Sequence, residues 1–177
     1  ISPAEGVPFA RTANGMCFSG TAPQVTDADG DGQPDWSTIW GAGMGFDVCA
    51  YGDNDPSPGE KFGLGSCPFN ANLANQVNGV KVTFTGTVTA SEPLRIQFNE
   101  NKSETDNIPD VPSAYVPATT FPGTVTALFS AATVGYKPDE KPAGTVKADV
   151  VAIQFQVAAN ATAGVSWDFC VTEVLMI

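Results

Sequence analysis

The first absence in this sequence is histidine, which does not occur among its 177 residues. Without histidine the chain has no Ser-His-Asp triad and no histidine-ligated metal centre. The 19 acidic residues leave a glycosidase-type carboxylate pair available, but no motif singles out such a pair. We therefore expect a protein that is not an enzyme.

Basic residues are also scarce, with 8 lysines and arginines against 19 acidic residues and a net charge of −11. Such an acidic surface repels phosphate backbones and anionic lipid headgroups, so we expect neither nucleic acid nor a membrane as a partner. No apolar run approaches the roughly 18 residues that a membrane-spanning helix requires. Neutral glycans and metal ions suit this surface better.

The chain has four cysteines, and their spacing contains no CxxC motif. Because histidine is absent, a zinc site would have to be a dispersed four-cysteine cluster. The alternative is two disulfides formed in an oxidising compartment, and this is the interpretation that we favour. Residues 1–5 have no signal-peptide character, so we expect a secreted protein whose export signal has been removed.

Short alternating stretches, separated by glycine, proline and polar residues, make up much of the chain. Residues 79–90 alternate Val80, Val82 and Phe84 with lysine and threonine, as expected for a half-buried strand. Residues 149–177 alternate in the same way on both sides of a small, polar turn. This pattern predicts two strands that form the closing hairpin of a β-sandwich.

The distribution of these stretches predicts an all-β fold with a single domain over residues 1–177. We expect a two-sheet β-sandwich of the jelly-roll type with about eight antiparallel strands. Long loops are predicted at residues 51–79 and 100–123, where prolines interrupt the alternation.

The jelly-roll architecture predicts a pairing of the cysteines. The first and last strands of a jelly roll commonly neighbour each other, and Cys17 and Cys170 both lie in predicted strands. We therefore predict the disulfides Cys17–Cys170 and Cys49–Cys67, the second of which would tie the loop at 51–79 to the strand before it.

An acidic loop at residues 27–35 is the sharpest local motif. Its acids occupy positions 1, 3, 5 and 9 of an EF-hand-like loop, with glycine at position 6, and this spacing suits Ca²⁺. The match ends there, because position 12 is Thr38 rather than glutamate. We predict a structural calcium ion, the alternative being a solvated acidic turn. The predicted ligands are Asp27, Asp29, Asp31 and Asp35.

Aromatic side chains are the first candidates for ligand binding. Trp36 and Trp40 share a face if this segment is extended, and they would form either a stacking platform for sugar rings or part of the core. Tyr51 and Tyr115 lie in or beside predicted loops and are better candidates for exposure.

Polar side chains on two predicted strands are the second candidates. Amides and a guanidinium make paired hydrogen bonds to vicinal hydroxyls, so these residues can bind a glycan if both strands share a sheet. The alternative is an ordinary solvated sheet face. The set comprises Arg95, Gln97, Asn99, Gln154 and Gln156.

Glycines at positions 41, 43 and 45 superficially match a dinucleotide-binding motif. The spacing is wrong and no helix follows, so we interpret them as strand backbone under close approach.

The segments VKVTFTGTVTASEPLRIQF, VVAIQFQV and SWDFCVTEV resemble strands of the β-jelly-roll carbohydrate-binding modules of secreted bacterial polysaccharide-degrading systems. The resemblance implies a non-catalytic domain that binds a neutral polysaccharide. It also implies a structural calcium ion bound by a residue near the N-terminus and by an acid of the final strand. In this sequence these ligands would be Glu5 and Asp168. The alternative for Asp168 is an ordinary outward-facing strand residue.

A second functional hypothesis is a secreted structural or surface-filament subunit. Such a protein would self-associate by docking strands or termini with its neighbours. The apolar residues 174–177 are consistent with either a buried last strand or a strand at a subunit interface.

Overall fold

The computed structural model describes residues 9–12, 15–22, 24–35, 41–47, 77–89, 94–100, 111–117, 120–135, 141–144 and 150–177. In chain order, the strands that they form are β1 (Phe9–Thr12), β2 (Gly15–Ala22), β3 (Gly41–Asp47), β4 (Gly79–Thr89), β5 (Leu94–Glu100), β6 (Ser113–Val116), β7 (Gly123–Leu128), β8 (Thr133–Val134), β9 (Lys141–Pro142), β10 (Val150–Ala158) and β11 (Val165–Met176). A 3₁₀ turn, Phe129–Ala131, follows β7. None of the described residues form a helix long and apolar enough to cross a membrane.

The strands form two antiparallel sheets that pack as a sandwich. The five-stranded sheet has the order β1-β2-β11-β4-β7, and the six-stranded sheet has the order β3-β10-β5-β6-β8-β9. Without the peripheral strands β1, β8 and β9, the sheets reduce to β2-β11-β4-β7 and β3-β10-β5-β6. This strand order is the jelly roll, so the predicted fold is confirmed.

The last two strands do not form the predicted closing hairpin. Strand β10 pairs with β3 and β5 in the six-stranded sheet, whereas β11 pairs with β2 and β4 in the other. Residues 159–164 carry the chain between the sheets, and Asn160 forms a parallel bridge with Gln24 on the way. Alternation identifies a strand but not its partner, which is why the hairpin prediction is wrong.

The predicted loop at residues 100–123 is also wrong, because β6 lies within it. This strand has four residues and stands between Pro112 and Pro117. A strand this short shows no clear alternation, and the flanking prolines suggested a loop. The other long loop, at 51–79, lies almost entirely outside the described residues.

The core lies between the two sheets and follows the predicted alternation. Val80, Val82 and Phe84 of β4 expose 0%, 0% and 1% of their surface. Phe84 packs edge-on against Phe155 of the opposite sheet, with ring centroids 5.8 Å apart. Edge-to-face pairs add to the free energy of area burial, so this contact helps to fix one sheet against the other.

A disulfide joins two neighbouring strands of the five-stranded sheet. Cys17 of β2 and Cys170 of β11 are directly opposed, with Cα atoms 3.9 Å apart. The predicted Cys17–Cys170 pairing is therefore confirmed. The predicted Cys49–Cys67 disulfide lies outside the described residues.

Candidate functional site

The polar side chains predicted on two strands lie on one face of the six-stranded sheet. Strands β5 and β10 are neighbours, and Arg95 stands opposite Gln156 while Gln97 stands opposite Gln154. Directly opposed residues of antiparallel strands project to the same side, and the intervening residues of both strands line the core. We call this outward-facing set of Arg95, Gln97, Asn99, Gln154 and Gln156 the polar face.

One cross-strand row of the polar face is centred on a buried guanidinium. The row runs from Gly43 on β3 through Gln156 and Arg95 to Tyr115 on β6. Oε1 of Gln156 accepts hydrogen bonds from Nε of Arg95, at 2.8 Å, and from its Nη2. Two bonds to one acceptor fix the planar guanidinium in the face.

The neighbouring row is longer and carries only neutral groups. It runs from Gly45 on β3 through Gln154 and Gln97 to Ser113 on β6, and then to Thr133 on β8. Oγ of Ser113 donates to the backbone carbonyl of Val111 at 3.0 Å. Diagonally across the two strands, Nδ2 of Asn99 donates to Oε1 of Gln154 at 3.3 Å.

Much of the polar face is shielded from solvent, which excludes an ordinary solvated sheet. Arg95, Gln97 and Gln156 expose 2%, 3% and 0% of their surface. Asn99 and Gln154 are half-buried. The sequence correctly predicts that these residues point away from the core, but it does not predict their burial. A polar group in such a position requires hydrogen-bond partners.

Glycines of β3 border the polar face, where they leave room for Gln154. A Cβ atom on Gly43 would lie 2.7 Å from Nε2 of Gln154 and 3.0 Å from the carbonyl oxygen of Phe155. A Cβ atom on Gly45 would lie 2.9 Å from the carbonyl oxygen of Ile153. This agrees with the interpretation of these glycines as backbone under close approach.

Tyr115 differs from its prediction as an exposed loop aromatic. It lies in β6, is half-buried, and its hydroxyl donates to the carbonyl oxygen of Gly135 at 3.1 Å. Its position opposite Arg95 nevertheless places it at one end of the first row. The other three aromatic candidates, Trp36, Trp40 and Tyr51, lie outside the described residues.

The acidic loop brings three of its four predicted ligands together. Carboxylate oxygens of Asp27, Asp29 and Asp35 all lie within 4.8 Å of one another. Asp31 lies outside this group, and its Oδ1 accepts a hydrogen bond from the backbone N–H of Gln33 at 2.8 Å. An all-oxygen set of carboxylates fits Ca²⁺ or Mg²⁺ and is poorly matched to softer metals.

Backbone N–H groups organise the acidic loop around Asp27. The N–H of Gly32 donates to Oδ2 of Asp27 at 2.8 Å, and the N–H of Gly30 donates to Oδ1 at 2.6 Å. The hydrogen bond from Gly32 is the largest influence, and together these bonds hold the pKa of the Asp27 carboxyl below its ordinary value of 3.8. The carboxylate is therefore ionised at neutral pH.

The second predicted cation site remains a prediction. Asp168 is exposed on β11, opposite Thr87 and Ser19. It is not part of the acidic group described above. Its expected partner Glu5 lies outside the described residues.

The sequence did not single out Ser113 and Thr133 as site residues. Both extend the row of Gln97 across β6 and β8, strands that are too short to show a period. The only available signal was the polar residue at the start of each strand, which is equally common in loops.

Comparison with known proteins does not add an assignment to this geometry. No protein-family model, no curated protein and no solved structure matches the chain.

Proposed function

We propose that the protein is a non-catalytic carbohydrate-binding module that recognises a neutral polysaccharide through its polar face. The observation that carries this proposal is the convergence of four amides and a guanidinium on one face of the six-stranded sheet. Carboxamides and guanidinium groups offer paired donors and acceptors at the spacing of vicinal hydroxyls.

The half-buried Asn99 and Gln154 are the members of the polar face that a ligand can reach. Their mutual hydrogen bond holds the two amides in place, and a fixed side chain loses little conformational entropy when it binds. The net charge of −11 opposes polyanionic ligands, whereas a neutral glycan meets no such barrier.

Calcium is the proposed structural cofactor, held by the acidic loop. The grouping of Asp27, Asp29 and Asp35 supplies oxygen ligands of the kind that Ca²⁺ prefers. Since three close carboxylates repel one another, a cation among them would favour the folded loop.

A secreted location is part of the same proposal. The Cys17–Cys170 disulfide is of a kind that forms in oxidising compartments, where polysaccharide is also encountered.

Affinity electrophoresis against soluble neutral glucans, xylans and mannans tests the function. We expect at least one polymer to retard the protein, and the Gln154→Ala variant to lose that retardation because Gln154 is one of the two half-buried amides of the polar face. Thr85→Ala, on the exposed outer side of β4, is the matched control and should migrate like the wild type. Failure of every polymer to retard the wild type would refute the proposal, as would equal retardation of both variants.

The structural-subunit hypothesis is supported by a different part of the surface. Leu128, Leu175, Met176 and Ile177 expose 39%, 44%, 37% and 38% of their surface. Sedimentation velocity of the wild type and of Leu175→Ser tests whether these residues mediate self-association. Concentration-dependent oligomers that Leu175→Ser dissolves would favour the subunit, and a monomer at all concentrations would exclude it.

A further inference from the structure

The large apolar side chains that the described residues expose lie at one corner of the five-stranded sheet. Leu175 of β11 stands opposite Lys81 of β4. One row further on, Ile177 and Gly79 exchange both backbone hydrogen bonds, at 3.0 and 3.1 Å, and Gly79 stands opposite Leu128 of β7. We call the exposed apolar residues of these two rows, Leu128, Leu175 and Ile177, the apolar corner.

The apolar corner lies on the outer surface of the sandwich. The residues that alternate with it on β4 and β7, Val80 and Ala127, expose 0% and 2% of their surface and line the core. Directly opposed residues of antiparallel strands project to the same side, so the apolar corner projects away from the core. A contiguous group of exposed apolar side chains, unlike single scattered ones, marks an interaction surface.

The charges beside the apolar corner favour a second copy of the same chain as the partner. Lys81 is exposed next to Leu175, and Glu173 is exposed two residues before Leu175 on β11. Lys81 and Glu173 are diagonal neighbours across β4 and β11. A two-fold contact is reciprocal, so Lys81 of each copy can face Glu173 of the other copy across one interface. The net charge of −11 opposes contact between two copies elsewhere on the surface.

The apolar corner and the polar face point in opposite directions. The polar face is on the outward side of the six-stranded sheet, and the apolar corner is on the outward side of the five-stranded sheet. Because the two sheets pack face to face, their outward sides face away from each other. Two copies that meet at the apolar corner therefore keep both polar faces uncovered and direct them apart.

We infer that the protein forms a closed, back-to-back dimer through the apolar corner, and that this dimer joins two separate polysaccharide chains. The dimer rests on the apolar corner and its charges, whereas the joining of two chains rests on the function proposed above. A two-fold contact uses the same patch on both copies, so it closes at two and does not grow into a filament. Since the polar faces of the dimer are directed apart, each one binds its own polymer chain.

Sedimentation velocity over a range of protein concentrations tests the dimer. We expect a monomer–dimer equilibrium in the micromolar range, because the apolar corner is small for an interface. Leu175→Ser should weaken dimerisation by about tenfold or more. Lys81→Glu should also weaken it, and the exchange of charges in Lys81→Glu/Glu173→Lys should restore it. Lys141→Glu, at an exposed lysine of β9, is the matched control and should dimerise like the wild type.

Three results of this experiment would overturn the dimer. The first is a monomer at every concentration. The second is a dimer that both Leu175→Ser and Lys81→Glu leave unchanged. The third is a series of species that grows beyond two copies, which would fit the structural subunit instead.

Light scattering from dilute soluble glucan, xylan and mannan tests whether the dimer joins two chains. We expect the wild type to aggregate at least one polymer, and Leu175→Ser to be retarded by that polymer in affinity electrophoresis without aggregating it. Gln154→Ala should remain a dimer and fail in both assays. A dimer that binds a polymer without aggregating it would overturn the joining of chains and keep the proposed function. A dimer that binds none of the polymers would refute the proposed function and keep the interface.

Discussion

The hydrogen-bonded pair of Arg95 and Gln156 allows a quantitative test of the polar face. Gln156→Met keeps the volume and removes the acceptor that serves both Nε and Nη2 of the guanidinium. Hydrogen bonds to charged groups contribute about 1.5–3 kcal/mol, and Gln156→Met removes two of them. We therefore expect Gln156→Met to lower the free energy of unfolding by about 3 kcal/mol.

The double variant separates this pair from everything else that the two side chains contact. Arg95→Met alone leaves the Gln156 amide without this donor, at a cost of about 1–3 kcal/mol, while replacing both partners by methionine removes the mismatch. The double variant should therefore lose about 1.5–3 kcal/mol less than the sum of the single losses. Contributions of each side chain elsewhere cancel to first order in such a cycle.

Urea unfolding of the four proteins, with the slope of the transition compared between them, is the assay. The exposed pair Thr83 and Thr124, whose hydroxyl oxygens lie 3.2 Å apart, provides a control cycle with valine substitutions. That control should give a coupling below about 0.5 kcal/mol. A coupling this small for Arg95 and Gln156 would refute the buried hydrogen-bonded pair and the preformed face built on it.

Three further predictions concern the rest of the fold. The double variant Cys17→Ser/Cys170→Ser should have a free energy of unfolding in urea that is about 3–5 kcal/mol lower, because the disulfide spans 153 residues and the chain-entropy model gives about 5 kcal/mol for such a loop. A decrease below about 1 kcal/mol would contradict the cross-link. A chelator should lower the unfolding temperature and added Ca²⁺ should restore it, with about 2.7 kcal/mol of stabilisation expected at 100 times the Kd. Asp29→Asn should abolish this response, whereas the control Glu173→Gln, at an exposed acid of β11, should retain it. A melt that is insensitive to chelator would exclude bound calcium. In calcium-free protein, NMR should show the Asp27 carboxyl with a pKa below 3.8. Its contribution to stability should be complete above pH about 4 and should be lost as the pH falls through the lowered pKa. An ordinary or raised pKa would contradict the hydrogen bonds from Gly32 and Gly30.

The sequence predicts the strands of this fold better than their pairing. Alternation identified β4, β5, β10 and β11, because each buries one side against the core. It did not show that β10 and β11 belong to different sheets, since each strand's own period is the same in a hairpin and in a crossover. The disulfide between Cys17 and Cys170 could be predicted because it follows from the jelly-roll order rather than from local pattern.

The sequence predicts which residues form the candidate site but not how deeply they are buried. The spacing within β5 and β10 placed Gln97 and Gln154 on the side away from the core, and the shared sheet brought them together. Burial on that side is a tertiary property, which no periodicity along one strand can reveal. In the acidic loop the spacing grouped Asp27 with Asp29, but Asp31 instead accepts a hydrogen bond from the backbone of Gln33.

The side-chain amide resonances of the polar face provide the most direct test of glycan recognition. Two-dimensional ¹⁵N NMR spectra would follow Gln97, Gln154, Gln156 and Asn99 while cellohexaose, xylohexaose or mannohexaose is added. We predict saturable shifts of these amide signals with at least one of the sugars, and the largest shifts at the half-buried Asn99 and Gln154. Unchanged amide signals with all three sugars, or shifts confined to the outer face of the five-stranded sheet, would contradict recognition by the polar face.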